Sequence, residues 1–214
     1  MNQIATLLPQ GVAAMGLTLP ATAMEQLTSY LALLVKWNRV YNLTAIRDEV
    51  KLVSHHLLDS LAVVAHLPDG NLIDIGSGAG LPGIPIAISS PDRFLTLLDS
   101  NQKKGAFLKQ AVAELGLPRA QVVIQRAETY RPAELFTTVV SRAFSDLTEF
   151  VKLAGHLCAP NGVMIAMKGV HPHEELVQLP TAWNVVKTLR LEVPQLEASR
   201  HLVFMRSSPD TAVG

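Results

Sequence analysis

The sequence predicts an α/β fold, a Rossmann-like sheet that is mostly parallel with an antiparallel last strand, preceded by an N-terminal helical cap. Three observations carry this. Roughly 65 residues of helical pattern precede the first strand. From Leu72 onward, short apolar runs alternate with helical stretches, the pattern of parallel strands joined by right-handed crossovers. The chain then closes on two apolar runs with a short connection, which predicts an antiparallel pair. The expected division is a cap over residues 1–70 and a ligand-binding domain over residues 71–214, in one compact unit without a low-complexity linker.

The elements follow in order. A short helix is expected around Ile4 to Leu8, before Pro9 and Gly11. Thr22-Ala23-Met24-Glu25 has the spacing of a capping box. Behind it Leu27, Tyr30, Leu31, Leu34 and Asn38 keep helical spacing, so a helix is expected over Ala21 to Arg39. Asp48 to His66 reads as a second long helix with Val50, Val53, Leu57, Leu61 and Val64 on one face, ended by the turn Pro68-Asp69-Gly70. Strands are then expected at Leu72 to Ile75, Arg93 to Asp99, Gln121 to Ile124, Thr137 to Ser141 and Gly162 to Lys168. Asn184 to Val193 and His201 to Arg206 are the closing pair. Helices are expected at Leu81 to Ser89, Asn101 to Leu115, Leu147 to Leu157 and Glu174 to Leu179, with Pro160-Asn161-Gly162 as a turn.

The chain is organised around Asn71 to Gly83, NLIDIGSGAGLPG. A buried strand leads into glycines at alternate positions, Gly76, Gly78 and Gly80, and then into a helix start. Such a loop turns sharply and leaves no side chain between its backbone N–H groups and a ligand. Asp74 sits at the strand end. Asp99 ends the next strand, at the position where a dinucleotide-type fold places an acid on a ribose diol. Gly78 to Gly83 also satisfies the pattern G-x-G-x-x-G. The loop and the two acids fit an adenosine-bearing ligand.

Composition narrows the classes. Apolar residues make up 49% of 214 and charged residues 17%, enough for a large core and too few charges for long disorder. The single cysteine, Cys158, excludes a disulfide framework and a thiolate cluster, and is compatible with a reducing, cytoplasmic setting. The N-terminus lacks the basic and apolar blocks of a signal peptide, and no run is long enough to span a membrane. Net charge is zero, which argues against a globally basic nucleic-acid binder. The charge is uneven, however: residues 100–170 carry nine Lys/Arg against five Asp/Glu, so a local basic face is available.

Two ligands compete for the loop, NAD(P) and S-adenosylmethionine. The antiparallel ending and the G-x-G-x-G spacing favour S-adenosylmethionine. At this point the chain resembles the bacterial ribosomal RNA small-subunit methyltransferase G family. The likeness rests on Lys36-Trp37-Asn38 with Tyr41-Asn42-Leu43-Thr44, His56 with Leu58-Asp59-Ser60, the segment Asp74 to Pro85, Leu97 to Ser100, Ser141-Arg142-Ala143-Phe144, Lys168-Gly169 and Arg200-His201. These span most of the chain in order. The resemblance implies an S-adenosylmethionine-dependent methyltransferase fold and methylation of N7 of one guanosine in the decoding region of 16S rRNA, so the partner would be 16S rRNA or the small ribosomal subunit. It places cofactor contacts on Gly76, Leu81, Ala127, Glu128 and Arg142; Gly78, Gly80 and Asp99 are added from the chemistry of the loop. Where the family often has an arginine before the histidine, this chain has Ser54-His55-His56, which weakens a basic contact expected there.

Arg142 and Lys168 both end strands on the ligand edge. Arg142 is the candidate catalytic residue, placing cofactor and guanine together, since an arginine can fork to guanine O6 or a phosphate. Arg126, Lys168 and His56 are the candidate RNA contacts; salt bridges at the sheet edge are the competing reading for Arg126 and Lys168, and a buried hydrogen-bonded histidine for His56. No metal site is expected, because His55 and His56 lack a second ligand one turn on. Trp37, Tyr41 and Trp183 read as core anchors more than as base platforms. The other readings are a small-molecule methyltransferase of the same fold, an NAD(P)-dependent oxidoreductase, and a binding protein without turnover. No obligate protein partner is implied, and a monomer is the default.

Overall fold

The computed structural model describes residues 2–208; residue 1 and residues 209–214, the outer ends of the two expected segments, lie outside them. The first helices are α1 (Asn2–Ala14) and α2 (Ala23–Tyr41), followed by α3 (Glu49–Leu52), a π-helical segment at Val53–Leu58 and α4 (Asp59–Leu61). Then come β1 (Leu72–Ile75), α5 (Gly83–Ser89), β2 (Leu95–Asp99), α6 (Gln102–Glu114), β3 (Ala120–Ile124) and β4 (Phe136–Ser141). The chain ends with α7 (Leu147–Ala154), β5 (Cys158–Lys168), α8 (His173–Val177), β6 (Trp183–Leu191) and β7 (Arg200–Ser207).

The sheet has seven strands in the order β3-β2-β1-β4-β5-β7-β6. The first five are mutually parallel, and β7 runs antiparallel between β5 and β6. The chain winds outward from β1 to β3, then returns to start β4 on the other side of β1. That reversal opens a crevice beyond the C-terminal ends of β1 and β4, where open α/β sheets bind ligands. Alternation along β1 sorts the core. Leu72 packs with α1, α2, the π-helical segment, α5 and α6, while Ile73 and Ile75 pack with α7 on the other face. The N-terminal helices are thus part of the main core.

Four local expectations change. α1 runs through Pro9 and Gly11, because Gly11 packs directly on Leu58, where a side chain would not fit. The capping box does not form: Thr22 has helical backbone angles, and its hydroxyl bonds the Gln26 side chain instead of a backbone N–H. The helix expected over Asp48 to His66 is broken into α, π and 3₁₀ pieces. Asp48 caps it, accepting from Val50 N–H at 2.9 Å, but the carbonyl of His55 is used by the His56 ring and by Arg142, which directly follows β4. Finally, Pro160-Asn161-Gly162 is a bulge inside β5: Phe136 faces Cys158, and Thr138 faces Val163. Proline has no N–H to give the ladder, so the chain loops out and re-enters pairing.

Candidate active site

The glycine loop is held from several sides. Gly76, Gly78 and Gly80 all have positive φ, of 69°, 58° and 87°. A methyl on Gly76 would lie 2.8 Å from Cβ of Ala143, so β1 and β4 meet there with no space for a side chain. A methyl on Gly78 would meet only the Gly76 carbonyl and the Lys104 ammonium, so this residue borders open space. Gly78 N–H donates to Asp99 Oδ2 at 2.8 Å, and Asn101 N–H donates to Asp99 Oδ1 at 2.8 Å. From the cap side, Tyr30 O–H donates to the Ala79 carbonyl at 2.6 Å. Tyr30 is fully buried, and burial raises its phenol well above its usual range, so it stays a donor.

Asp74 lies beneath the loop. It is fully buried, and its Oδ2 accepts from Gly83 N–H at 3.0 Å while Oδ1 has no partner among the described residues. Burial pushes its carboxyl up to about 7, against the opposing pull of the Gly83 hydrogen bond. Asp74 therefore ties strand end to helix start from inside the core, whereas Asp99, at the rim, is the acid next to the open loop.

A cavity of about 170 Å³ opens at the switch point, lined by Gly76, Gly78, Leu81, Thr44, His56 and Arg142, among others. His56 Nδ1 is 3.0 Å from the His55 carbonyl, which can only accept, so Nδ1 carries the proton. Nε2 then accepts from the Thr44 hydroxyl at 2.7 Å. Burial lowers this imidazole to about 4, so at neutral pH it is an uncharged wall with both nitrogens occupied. Arg142 donates through Nη1 to the His55 carbonyl and to Asp59 Oδ2, each at 3.0 Å. Its Nε and Nη2 make no hydrogen bond within the described residues.

The expected site residues fall into two groups. Gly76, Gly78, Leu81, His56 and Arg142 meet at the cavity, with Gly80 in the same loop and Asp99 bonded to Gly78. Ala127 and Glu128 lie at the same sheet edge, in the 3₁₀ turn after β3, and Arg126 precedes them, with Nη1 4.0 Å from Glu128. Lys168 stands at the end of β5, with its ammonium 2.7 Å from Glu175 and 2.5 Å from the Ser145 carbonyl. Trp37 of the cap packs edge-on to Phe107 of α6, and Tyr41 lies against Trp37 at the surface. Burial pushes the Cys158 thiol up to about 11, far from a reactive thiolate. Among the described residues, no three His, Cys, Asp or Glu side chains gather as a metal cluster, and no helix is long and apolar enough to cross a membrane.

The structure adds residues to which the motifs assigned no role. Asp59, 1% exposed, accepts from Arg142 Nη1 on Oδ2 and from Arg200 Nε on Oδ1, at 3.0 and 2.8 Å. Its available signal was a carboxylate inside the otherwise apolar HHLLDSLAVV, three residues after His56. Tyr30 and Thr44 read as helix core and turn former until the fold brings them to the loop and to His56.

This strand order, with a glycine loop after β1 and an acid ending β2, is the fold of S-adenosylmethionine-dependent methyltransferases. Solved structures agree. The O-methyltransferase TomG of Streptomyces achromogenes, in complex with SAM, has a TM-score of 0.60 at 15% identity, over 97% of this chain and 99% of that one. A SAM-dependent methyltransferase of Thiobacillus denitrificans, in complex with S-adenosyl-L-homocysteine, has a TM-score of 0.50 at 12% identity, over 82% and 97%. At such identities the likeness is one of fold. The family is given by sequence: the model described as rRNA small subunit methyltransferase G matches residues 23–203. The protein named ribosomal RNA small subunit methyltransferase G in Chromobacterium violaceum is 55% identical over 199 residues, covering 92% of this chain and 95% of that relative. The one in Nitrosospira multiformis is 50% identical over 209 residues, covering 94% and 97%. The chain belongs to the rRNA small subunit methyltransferase G family.

Proposed function

We propose that this protein is an S-adenosylmethionine-dependent methyltransferase acting on N7 of a guanosine in the decoding region of 16S rRNA. The observation that carries this reading is the pairing of an open glycine loop, backed by Asp99, with Arg142 across one cavity, in a chain whose relatives at about half identity are named for the ribosomal small subunit. The residues present fit the cofactor. Gly78 borders open space, and each Asp99 oxygen, already holding one backbone N–H, has a second lone pair for a ribose hydroxyl. Gly76, Gly80 and Leu81 would line the rest of the loop, with Ala127 and Glu128 on the adenine side. S-adenosylmethionine bound there would supply an electrophilic methyl on a sulfonium sulfur.

The chain's own residues have a limited task. Guanine N7 has an in-plane lone pair, so methylation there moves no proton and needs no general base; the site must orient the base and exclude water. His56 suits such a wall, being neutral and saturated with hydrogen bonds. Arg142 is held on one nitrogen, and its remaining donors can reach guanine O6 while leaving N7 available. Of the RNA contacts, Arg126 is exposed at the sheet edge, Lys168 would act beside Glu175, and His56 would act through packing. The protein works in this reading as a cytoplasmic monomer without an obligate protein partner.

The direct test is methyl transfer from labelled S-adenosylmethionine to small-subunit particles from a strain lacking this gene, followed by mapping of the label. Label on a single guanine N7 of the decoding region supports the reading. Cofactor binding with no label on particles or deproteinised rRNA moves the acceptor to a small molecule, and NAD binding in its place overturns the class.

A further inference from the structure

A second cavity, of about 330 Å³, opens beside the first and shares His56 and Arg142 with it. Asp59, Lys168, Gly169 and Arg200 form much of its remaining wall. We propose that this groove is a phosphodiester subsite. It takes an RNA phosphate next to the target guanosine, with Arg200 as its ligand and Asp59 as the positioning residue that presents Arg200 and Arg142 together. The inference rests on the rRNA methyltransferase reading and extends it.

The argument starts from how the two guanidiniums are held. Arg200 gives Nε to Asp59 and one Nη1 hydrogen to the Ser199 carbonyl. Arg142 gives only Nη1, to Asp59 and the His55 carbonyl. Each arginine is therefore anchored at one edge, while Nη2 of both, with Nε of Arg142, makes no hydrogen bond within the described residues. Two forks oriented by one buried carboxylate, with donors remaining, are arranged to bind a tetrahedral oxyanion.

Charge selects the ligand and the reader. The groove wall sets Arg142, Arg200 and Lys168 against Asp59 alone. Lys168 is already engaged by Glu175 and the Ser145 carbonyl, and its side chain is only 9% exposed, which leaves the arginines to meet an anion. Gly169 adds no side chain beside Arg200 Nη1. Ile46 and Met167 supply the apolar part of the wall, on which a ribose or base edge can rest while the arginines meet the phosphate. The backbone is irregular here too: His55, His56 and the carbonyl that holds Arg142 lie in the π-helical segment, and such segments concentrate at functional sites. The groove's continuity with the glycine-loop cavity through Arg142 fits one RNA strand that fills both, base in one and phosphate in the other.

The test is steady-state methyl transfer to small-subunit particles by the wild type, R200Q, R200K and D59N, across salt from about 50 to 200 mM. R200Q is expected to raise KM for particles about tenfold and to reduce the log–log salt slope by about one, with kcat and S-adenosylmethionine affinity nearly unchanged. R200K should keep the slope, which follows charge, but not the full affinity, which needs the fork. D59N should lower kcat as well as raise KM, because it releases Arg142; a merely structural role would not divide the variants this way. Unchanged KM and slope in R200Q overturn the subsite while the wild type still transfers methyl. If R200Q does not fold, unchanged KM in R200K overturns it equally. If inorganic phosphate protects the wild type against melting through Arg200 while the KM for particles stays unchanged in both Arg200 variants, the groove is a free-anion site and the proposal fails. No transfer by the wild type itself overturns the methyltransferase reading, and the subsite with it.

Discussion

Asp74 beneath the glycine loop and Asp59 at the cap edge are 0% and 1% exposed, yet their surroundings have little in common. Asp74 holds one backbone N–H and has an oxygen without a partner among the described residues, and burial, the largest of several influences, carries its carboxyl to about 7. Asp59 receives a guanidinium on each oxygen, from strands on either side of β5. The first ties a loop within one βα unit. The second is a counter-ion that draws the cap, β4 and β7 to one point. Burial costs a carboxylate its solvation in both places; a partner decides whether the charge stays useful.

The comparison breaks most visibly at the cation that Asp59 presents. Arg142→Ala should lower methyl transfer by two to three orders of magnitude, about 3–4 kcal/mol of barrier, while the circular-dichroism melt is kept. Full activity would remove Arg142 from the site. Asp59→Ala would leave two guanidiniums without their counter-ion. A stability loss of about 3 kcal/mol is expected in urea titration, at the low end for a buried pair because both arginines keep contact with water. A loss below about 1 kcal/mol would place the cluster with ordinary surface pairs.

Asp74 sharpens the contrast through pH. Its carboxyl is raised in the folded state from an ordinary value near 3.8, so the unfolded chain gives up the proton first, and stability falls as pH rises from about 4 to about 7. Asp74→Asn keeps an acceptor for Gly83 and cannot ionise. Relative to wild type, the variant should gain about 2–3 kcal/mol between pH 5 and pH 8. An offset that is the same at both values would show that Asp74 does not carry this dependence. The smallest effect is at the loop itself: Gly76→Ala meets Ala143 and an unfavourable φ of 69°, and should cost about 1–2 kcal/mol by thermal melting.

Much of the fold was legible from periodicity and punctuation. Leu72 to Ile75, the alternate glycines and the run ending at Asp99 are local signals, and each strand was found within a few residues of its place except the start of β5. That start was obscured because Pro160-Asn161-Gly162 has the composition of a turn, while pairing with β4 on both sides keeps it within a strand. The capping box failed for a similar reason: Gln26, one residue beyond the motif, takes the Thr22 hydroxyl and bridges to the Leu115 carbonyl at the end of α6.

Within the candidate site, the sequence alone determined the placement of the glycine loop, Asp99 and Arg142 at strand ends on one edge of the sheet. Their chemistry depends on residue type and on position at strand ends, and strand ends follow from the pattern of the chain. The tertiary structure alone decided that Asp59, Arg142 and Arg200 form one cluster, because 83 and 141 residues separate Asp59 from its two partners. It also decided that His56 is an uncharged wall. A histidine's charge and a carboxylate's role depend on the dielectric and the donors around them, and those come from elements far apart in the chain, brought together only when the sheet closes against the cap.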